Sequence, residues 1–183
     1  MSRTLTVVSH AATAATRLAA FPDDEPVERP GAEGGLSADV AVRGPESRCA
    51  QTAAALGLSA ESDDRLRDCD YGRWRGRTLD DVAAAEPDAV AVWLTDPAAA
   101  PHGGESLLDL LDRVGGWLDA PPDGRRTAAV THPAVAKAMI VRALGAEPSA
   151  FWRIDIAPLS RTILRGEPGR WTLRWLTKAG STR

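Results

Sequence analysis

Short apolar runs rich in β-branched residues recur along this chain, and Ala- and Leu-rich stretches separate them. The first run, Leu5 to Val8, predicts a buried strand almost at the N-terminus. It stops at Ser9-His10, and the Ala-rich segment Ala11 to Ala20 predicts a helix directly after it. Phe21 to Gly35 carries Pro, Gly and acids without periodicity and reads as a surface loop. Ala38 to Arg43 alternates weakly and reads as a second strand, followed by a helix opening at Pro45-Glu46 and ending at Gly57. Asp63 to Gly76 is irregular, with Leu66, Tyr71 and Trp74 as packing anchors. Thr78 can cap a helix over 79–86 that Pro87 stops, and 88–95 predicts another short helix before a loop over 97–104.

Leu107, Leu111, Val114, Trp117 and Leu118 share one helical face, which predicts a helix over 106–119. Thr127 to Thr131 is again a short strand ending in hydroxyl-His, at Thr131-His132, and Pro133 then opens a helix closed by Gly145. Arg161 to Leu164 and Trp171 to Trp175 flank a Glu-Pro-Gly turn and read as an antiparallel pair on a sheet edge. Alternating strands and helices with this terminal hairpin imply an α/β fold. The expected architecture is a three-layer α/β/α sandwich on a mainly parallel sheet, one domain over 1–183.

Composition narrows the function classes. The 183 residues suffice for one domain with a core, and a formal charge of −3 gives no reason to expect nucleic acid as a partner. No apolar run reaches the length of a membrane span, and the N-terminus lacks a signal peptide's basic start, so a cytoplasmic location without membrane contact is expected. Two cysteines are too few for a disulfide framework.

The chemistry candidates follow from the topology. Two strands ending in histidine, if neighbouring and parallel, would turn His10 and His132 toward one pocket at the carboxyl edge of the sheet, where open α/β sheets place ligands. Arg48 would project from a helix start beside a strand end. The three histidines, His10, His102 and His132, show no zinc-ligand spacing, so no metal and no cofactor are expected, and His102 in its Pro/Gly loop is expected to be exposed. Cys69 and Arg75 have the spacing of a cysteine-phosphatase loop, but Asp70, Tyr71 and Trp74 make it too bulky to wrap a phosphate.

The chain resembles the histidine phosphatase superfamily, in its phosphoglycerate-mutase-like branch. Ser9-His10-Ala11-Ala12-Thr13 stands where the family has Arg-His-Gly-x-Thr. Arg48-Cys49-Ala50-Gln51-Thr52-Ala53 is similar to Arg-Ala-x-Gln-Thr-Ala. Leu66-Arg67-Asp68 with Gly72-Arg73-Trp74-Arg75-Gly76 is similar to Leu-x-Glu followed by Gly-x-Trp-x-Gly. Gly103-Gly104-Glu105-Ser106 and Val130-Thr131-His132 complete the order.

The resemblance implies a phosphomonoester hydrolase without a metal, acting on a small-molecule phosphate ester, with inorganic phosphate as a further ligand. His10 would be the nucleophile, forming a phosphohistidine. Asp68 would be the proton donor, and Arg48 and His132 would hold the phosphoryl oxygens. Ser9 and Thr13 fall at substrate-binding positions of the signature. Glu105 reads best as a helix cap, or as a residue orienting Arg48 or His132.

Ser9 removes a guanidinium and Ala11 replaces a Gly, so weakened hydrolysis is expected, with Arg17 and Arg43 as candidates to fill the gap. Mutase chemistry ranks below hydrolysis. The alternative is a non-catalytic member that binds an anionic small molecule or a protein partner.

Overall fold

A computed structural model of the chain describes residues 2–29, 31 and 35–177. Residues 30 and 32–34 of the expected surface loop, and Lys178 onward, lie outside the described residues. One six-stranded sheet runs through the chain in the order β3-β2-β4-β1-β5-β6. Its strands are β1 (Arg3–Ser9), β2 (Val40–Arg43), β3 (Glu61–Ser62), β4 (Arg126–Thr131), β5 (Arg161–Glu167) and β6 (Arg170–Thr177). β1, β2, β3 and β4 are mutually parallel where they pair, while β5 runs antiparallel to β1 and β6 antiparallel to β5. The α/β architecture and the edge hairpin expected from the pattern are therefore present.

Both faces of the sheet are covered because the β1 run is apolar on both sides. Leu5 and Val7 enter a large core with α5 (Leu107–Asp119) and α6 (Pro133–Leu144), where Leu110, Val114, Trp117, Val135 and Met139 pack. Val8 and Val130 enter a smaller core on the other face, against Cys49, Ala53 and Leu56 of α2 (Ser47–Ala55) and its cap. Burial of each such aliphatic side chain stabilises the fold by roughly 1.5–3 kcal/mol.

Thr78 and Gly145 mark helix ends as the sequence predicts, while at α5 the cap is Ser106 in place of the expected Glu105. Ser106 and Asp109 form a capping box at α5, and Thr78 accepts the Asp81 amide at α3 (Leu79–Ala85). Gly145 adopts φ 59° to close α6.

Three elements differ from expectation. The predicted helix over 11–20 shrinks to α1 (Ala14–Leu18). Tertiary pairing overrides the propensity of the alanines, since Thr13 bridges to Val27 and Ala20 to Thr78, holding the flanking residues extended. Pro87 does not merely stop a helix. It is the first residue of α4 (Pro87–Thr95), and Glu86 caps both neighbours. The two-residue strand β3, just before the irregular stretch 63–76, is not among the expected strands, and that stretch itself holds single 3₁₀ turns at Asp64–Leu66 and Gly72–Trp74.

The loops over 70–72 and 102–104 touch backbone to backbone. A Cβ at Gly104 would lie 2.0 Å from the Asp70 carbonyl oxygen, and one at Gly72 would lie 2.2 Å from that of His102, so only glycine fits. The two glycine motifs thus fix the course of the segment that carries Asp68. Among the described residues no helix is long and apolar enough to cross a membrane.

Candidate active site

The site forms where β1 and β4 lie side by side. Ser9 pairs with Thr131, and the His10 amide donates to the Thr131 carbonyl at 2.9 Å, so the two following histidines leave the sheet together. Their rings meet edge to face with centroids 5.3 Å apart. Both are buried.

His10 Nδ1 lies 2.8 Å from the Ala11 carbonyl oxygen, which can only accept. The proton therefore sits on Nδ1, and the Nε2 lone pair is free. Burial, reinforced by the nearby His132 charge, lowers the His10 pKa to about 4, so the ring is neutral at physiological pH. The turn is pinned from below: the Ala11 amide donates to Thr52 Oγ1 at 3.0 Å, and that hydroxyl donates to the Arg48 carbonyl at 2.7 Å.

His132 is the opposite case. Burial works against its charge, but Asp68, Cys49 and the hydrogen bond to Glu46 outweigh burial and raise its pKa to about 10. Nε2 donates to Glu46 Oε2 at 2.7 Å. Burial opposes charge on Glu46 as well, yet its hydrogen bond to His132 brings its pKa down to about 2. The pair is a buried carboxylate–imidazolium dyad. Nδ1 faces the site, 3.3 Å from both Arg48 Nε and Asp68 Oδ2.

Arg48 is 2% exposed. Its Nη2 donates to Asp68 Oδ2 at 2.8 Å, while Nη1 has no hydrogen-bond partner, the nearest carboxylate being Asp24 at 3.8 Å. A buried guanidinium N–H without a partner is costly, and it is a ready donor for an anion. Beside His10 lies a cavity of about 190 Å³, lined among others by Thr13, Glu25, Asp68, Tyr71 and Pro133. His10, Arg48, Asp68 and His132, scattered over 123 positions of sequence, are thus linked in one cluster of direct contacts, with His10 and Asp68 lining the cavity beside it.

The model of the histidine phosphatase superfamily (branch 1) matches residues 32–178. The chain belongs to this superfamily. The matched span leaves out β1 and His10, the part where the motif departs most from the family pattern. A bifunctional protein of Mycobacterium tuberculosis is 34% identical over 136 residues, covering 69% of this chain and 37% of that protein. Phosphoserine phosphatase 1 of Hydrogenobacter thermophilus is 28% identical over 124 residues, 66% of this chain and 59% of that one. The chain therefore spans between about a third and three fifths of the length of these relatives. Among solved structures, the mycobacterial glucosyl-3-phosphoglycerate phosphatase superimposes with a TM-score of 0.79 at 22% identity, covering 99% of this chain and 100% of that one. The α-ribazole phosphatase of Shigella flexneri gives 0.79 at 19%, over 98% and 100%. At such identities the likeness is one of fold.

The superfamily's other motif positions have different surroundings from those expected. Glu105 neither caps α5, which Ser106 does, nor reaches Arg48 or His132. Arg113 grips both its oxygens at 2.7 Å and donates to the carbonyls of Arg65, Arg67 and Asp68. Glu105 thus anchors the clamp that holds the Asp68 segment. The Thr13 hydroxyl is already engaged, donating to Glu25 Oε1 at 2.7 Å and capping α1 through Thr16. Ser9 is buried, and its Oγ has no partner. Arg17 pairs with Glu28, and Arg43 donates to the Gly44 and Pro45 carbonyls, so both proposed replacements for the missing guanidinium are engaged elsewhere.

His102 is buried rather than exposed. It packs on Trp74 with ring centroids 5.0 Å apart, and its Nδ1 accepts the Gly104 amide. Cys69 is buried as well, and burial drives its thiol pKa well up, so it is no thiolate nucleophile.

Sequence reasoning missed Glu46. It stands two residues before Arg48 and reads as an ordinary first-turn acid; only the fold shows that β2 and β4 are neighbours and bring it to His132. It also missed the donor cluster at the same place. Glu46, Cys49 and His132 each offer one ligand atom, and all lie within 4.8 Å of one another.

Proposed function

We propose that this chain is a phosphomonoester hydrolase working through phospho-His10, on a small-molecule phosphate and in the cytoplasm. The observation that carries the reading is the meeting of a neutral His10 and a charged His132, 5.3 Å apart, beside a buried Arg48 N–H without a partner.

His10 Nε2 attacks phosphorus, and the bond from phosphorus to the ester oxygen breaks. Asp68, in its acid form, hands its proton to that oxygen, releasing the alcohol. Water then gives a proton back to Asp68 and attacks phosphorus; the N–P bond breaks and inorganic phosphate leaves. Arg48 and imidazolium His132 stabilise the charge spread over the phosphoryl oxygens. Glu46 keeps His132 charged and oriented. Relatives in the superfamily carry phosphatase names, which supports hydrolysis over transfer to a second hydroxyl.

The test is hydrolysis of a panel of phosphomonoesters, with a search for an acid-labile phosphoryl label on His10. A protein that binds phosphate but neither turns over nor labels would be the non-catalytic member that the bare Ser9 position favours.

The pH profile separates this site from an ordinary imidazole. His10 protonates only near pH 4, and His132 keeps its charge to about pH 10. Corrected for substrate ionisation, the limb of kcat/KM that reports His10 is expected near pH 4 and the limb that reports His132 near pH 10, while Asp68, which must carry a proton to act as the acid, adds a fall with rising pH that Asp68→Asn removes. An acid limb centred at the ordinary value of 6.5 would mean that His10 is not held neutral.

Ser9→Arg tests the weakened-site reading. A preorganised donor at an oxyanion is worth roughly 3–4 kcal/mol, and a neutral hydroxyl replaces only part of that. The variant, with Ala11→Gly if the turn needs room, is expected to raise kcat/KM at least about tenfold. A fast wild type slowed by Ser9→Arg would make Ser9 part of a specialised site instead.

A further inference from the structure

We propose that Glu46, Cys49 and His132 bind a thiophilic divalent transition metal, zinc foremost, through Oε2, Sγ and Nε2. The metal would take the place of the proton that His132 Nε2 shares with Glu46, so the metal-bound form and the imidazolium form used in the phosphatase reading exclude one another, and metal binding itself does not depend on that reading.

The donor set is chemically selective. Thiolate, imidazole and carboxylate together suit zinc, whereas magnesium and calcium call for oxygen alone. His132 Nε2 lies 2.7 Å from Glu46 Oε2 and 3.3 Å from Cys49 Sγ. Ligand bonds of about 2.0–2.3 Å in tetrahedral geometry separate donor atoms by about 3.3–3.6 Å. The His132–Cys49 separation already fits, the His132–Glu46 pair would have to open by about half an ångström, and all three atoms lie within 4.8 Å of one another. Glu46, whose side chain is 17% exposed, can supply that movement, while His132 and Cys49 are fixed in the interior.

Three further features fit. Asp68 Oδ2 lies 3.3 Å from His132 Nδ1, the other ring nitrogen, where an outer carboxylate fixes the tautomer of a ligating histidine. Position 44 is glycine: a Cβ there would stand 2.9 Å from His132 Nε2, Glu46 Oε2 and the Leu66 carbonyl oxygen alike, so a larger residue would cover the donors. Glu46, alone of the three ligands, borders a cavity of about 150 Å³ whose carboxylates outnumber its guanidiniums five to three, which favours a cation. Cys49 is itself a departure, standing where the family motif has Ala.

The test uses the full chain, reduced and stripped of metal, titrated with Co²⁺ and then Zn²⁺. One equivalent of Co²⁺ is expected to bind with a near-ultraviolet thiolate-to-cobalt charge-transfer band, and Zn²⁺ to displace it. Cys49→Ala, which restores the family's residue, should abolish the band and weaken Zn²⁺ by more than about 100-fold, beyond the ~10–100-fold cost of losing an outer partner. Cys49→Ser, close in size, should also lose the band, and Cys69→Ala should keep it. No stoichiometric binding, binding without the band, or a band that survives both Cys49 variants overturns the proposal.

Discussion

His10→Ala is expected to remove hydrolysis altogether, lowering kcat by on the order of 10⁴–10⁶ as loss of an enzymatic nucleophile does. In the proposed mechanism every other group of the site acts on a phosphoryl that has reached His10. Its free Nε2 is fixed by the bond from Nδ1 to the Ala11 carbonyl, and its neutrality by burial. The substitution deletes one buried hydrogen bond, about 0.5–1.5 kcal/mol, and adds the cost of a cavity where the ring packs on His132, while Arg48 and His132 keep their contacts with Asp68 and Glu46 that hold them in place. Phosphate or vanadate binding, read by the rise in Tm, should therefore survive while turnover and the phosphoryl label vanish. Hydrolysis undiminished in His10→Ala would remove the covalent mechanism.

Asp68→Asn should divide binding from turnover. Asp68 now accepts from Arg48 Nη2 at 2.8 Å and lies 3.3 Å from His132 Nδ1, so its carboxylate occupies donors that a phosphoryl group would use. Its other oxygen accepts the Cys69 amide at 2.8 Å. Two unit charges about 4 Å apart repel by roughly 1 kcal/mol in water and roughly 4 kcal/mol at an effective dielectric constant of 20. Removing the charge should tighten phosphate or vanadate at least about tenfold, since a tenfold gain needs only about 1.4 kcal/mol. The same change removes the proton donor. Turnover of alkyl phosphates should fall by roughly two to four powers of ten. p-Nitrophenyl phosphate, whose leaving group needs no proton, should suffer less. Equal losses on both substrates would argue against Asp68 as the acid, and unchanged phosphate binding would argue against its role as an internal competitor. Arg48 loses its charged partner in this variant, so Tm should drop, and phosphate should restore more of it than in the wild type.

The sequence by itself indicated five of the six strands, several helix ends and the residues proposed to carry the chemistry. Leu5 to Val8 is apolar on both faces, so β1 had to be buried from both sides; Thr78 and Gly145 declare helix ends through local hydrogen bonding that needs no partner from afar. His10, Arg48, Asp68 and His132 could be named because each follows a local signature at an element's end. The tertiary structure decided what each of them touches. The alanines of 11–20 favour helix, yet bridges to Val27 and Thr78 hold their flanks extended, because sheet-like pairing with distant residues outweighs a propensity of a few tenths of a kcal/mol per residue. Glu105 and Arg113 look like separate surface charges until the turn into α5 brings the Arg113 side chain back to Glu105 and to the Asp68 carbonyl. Glu46 was invisible as a partner of His132, since 86 residues separate them and only the adjacency of β2 and β4 makes them neighbours. The charge states were likewise a tertiary matter. Two histidines with the same local motif, hydroxyl-His at a strand end, titrate near 4 and near 10 because one ring is buried beside a cation and the other is buried between carboxylates.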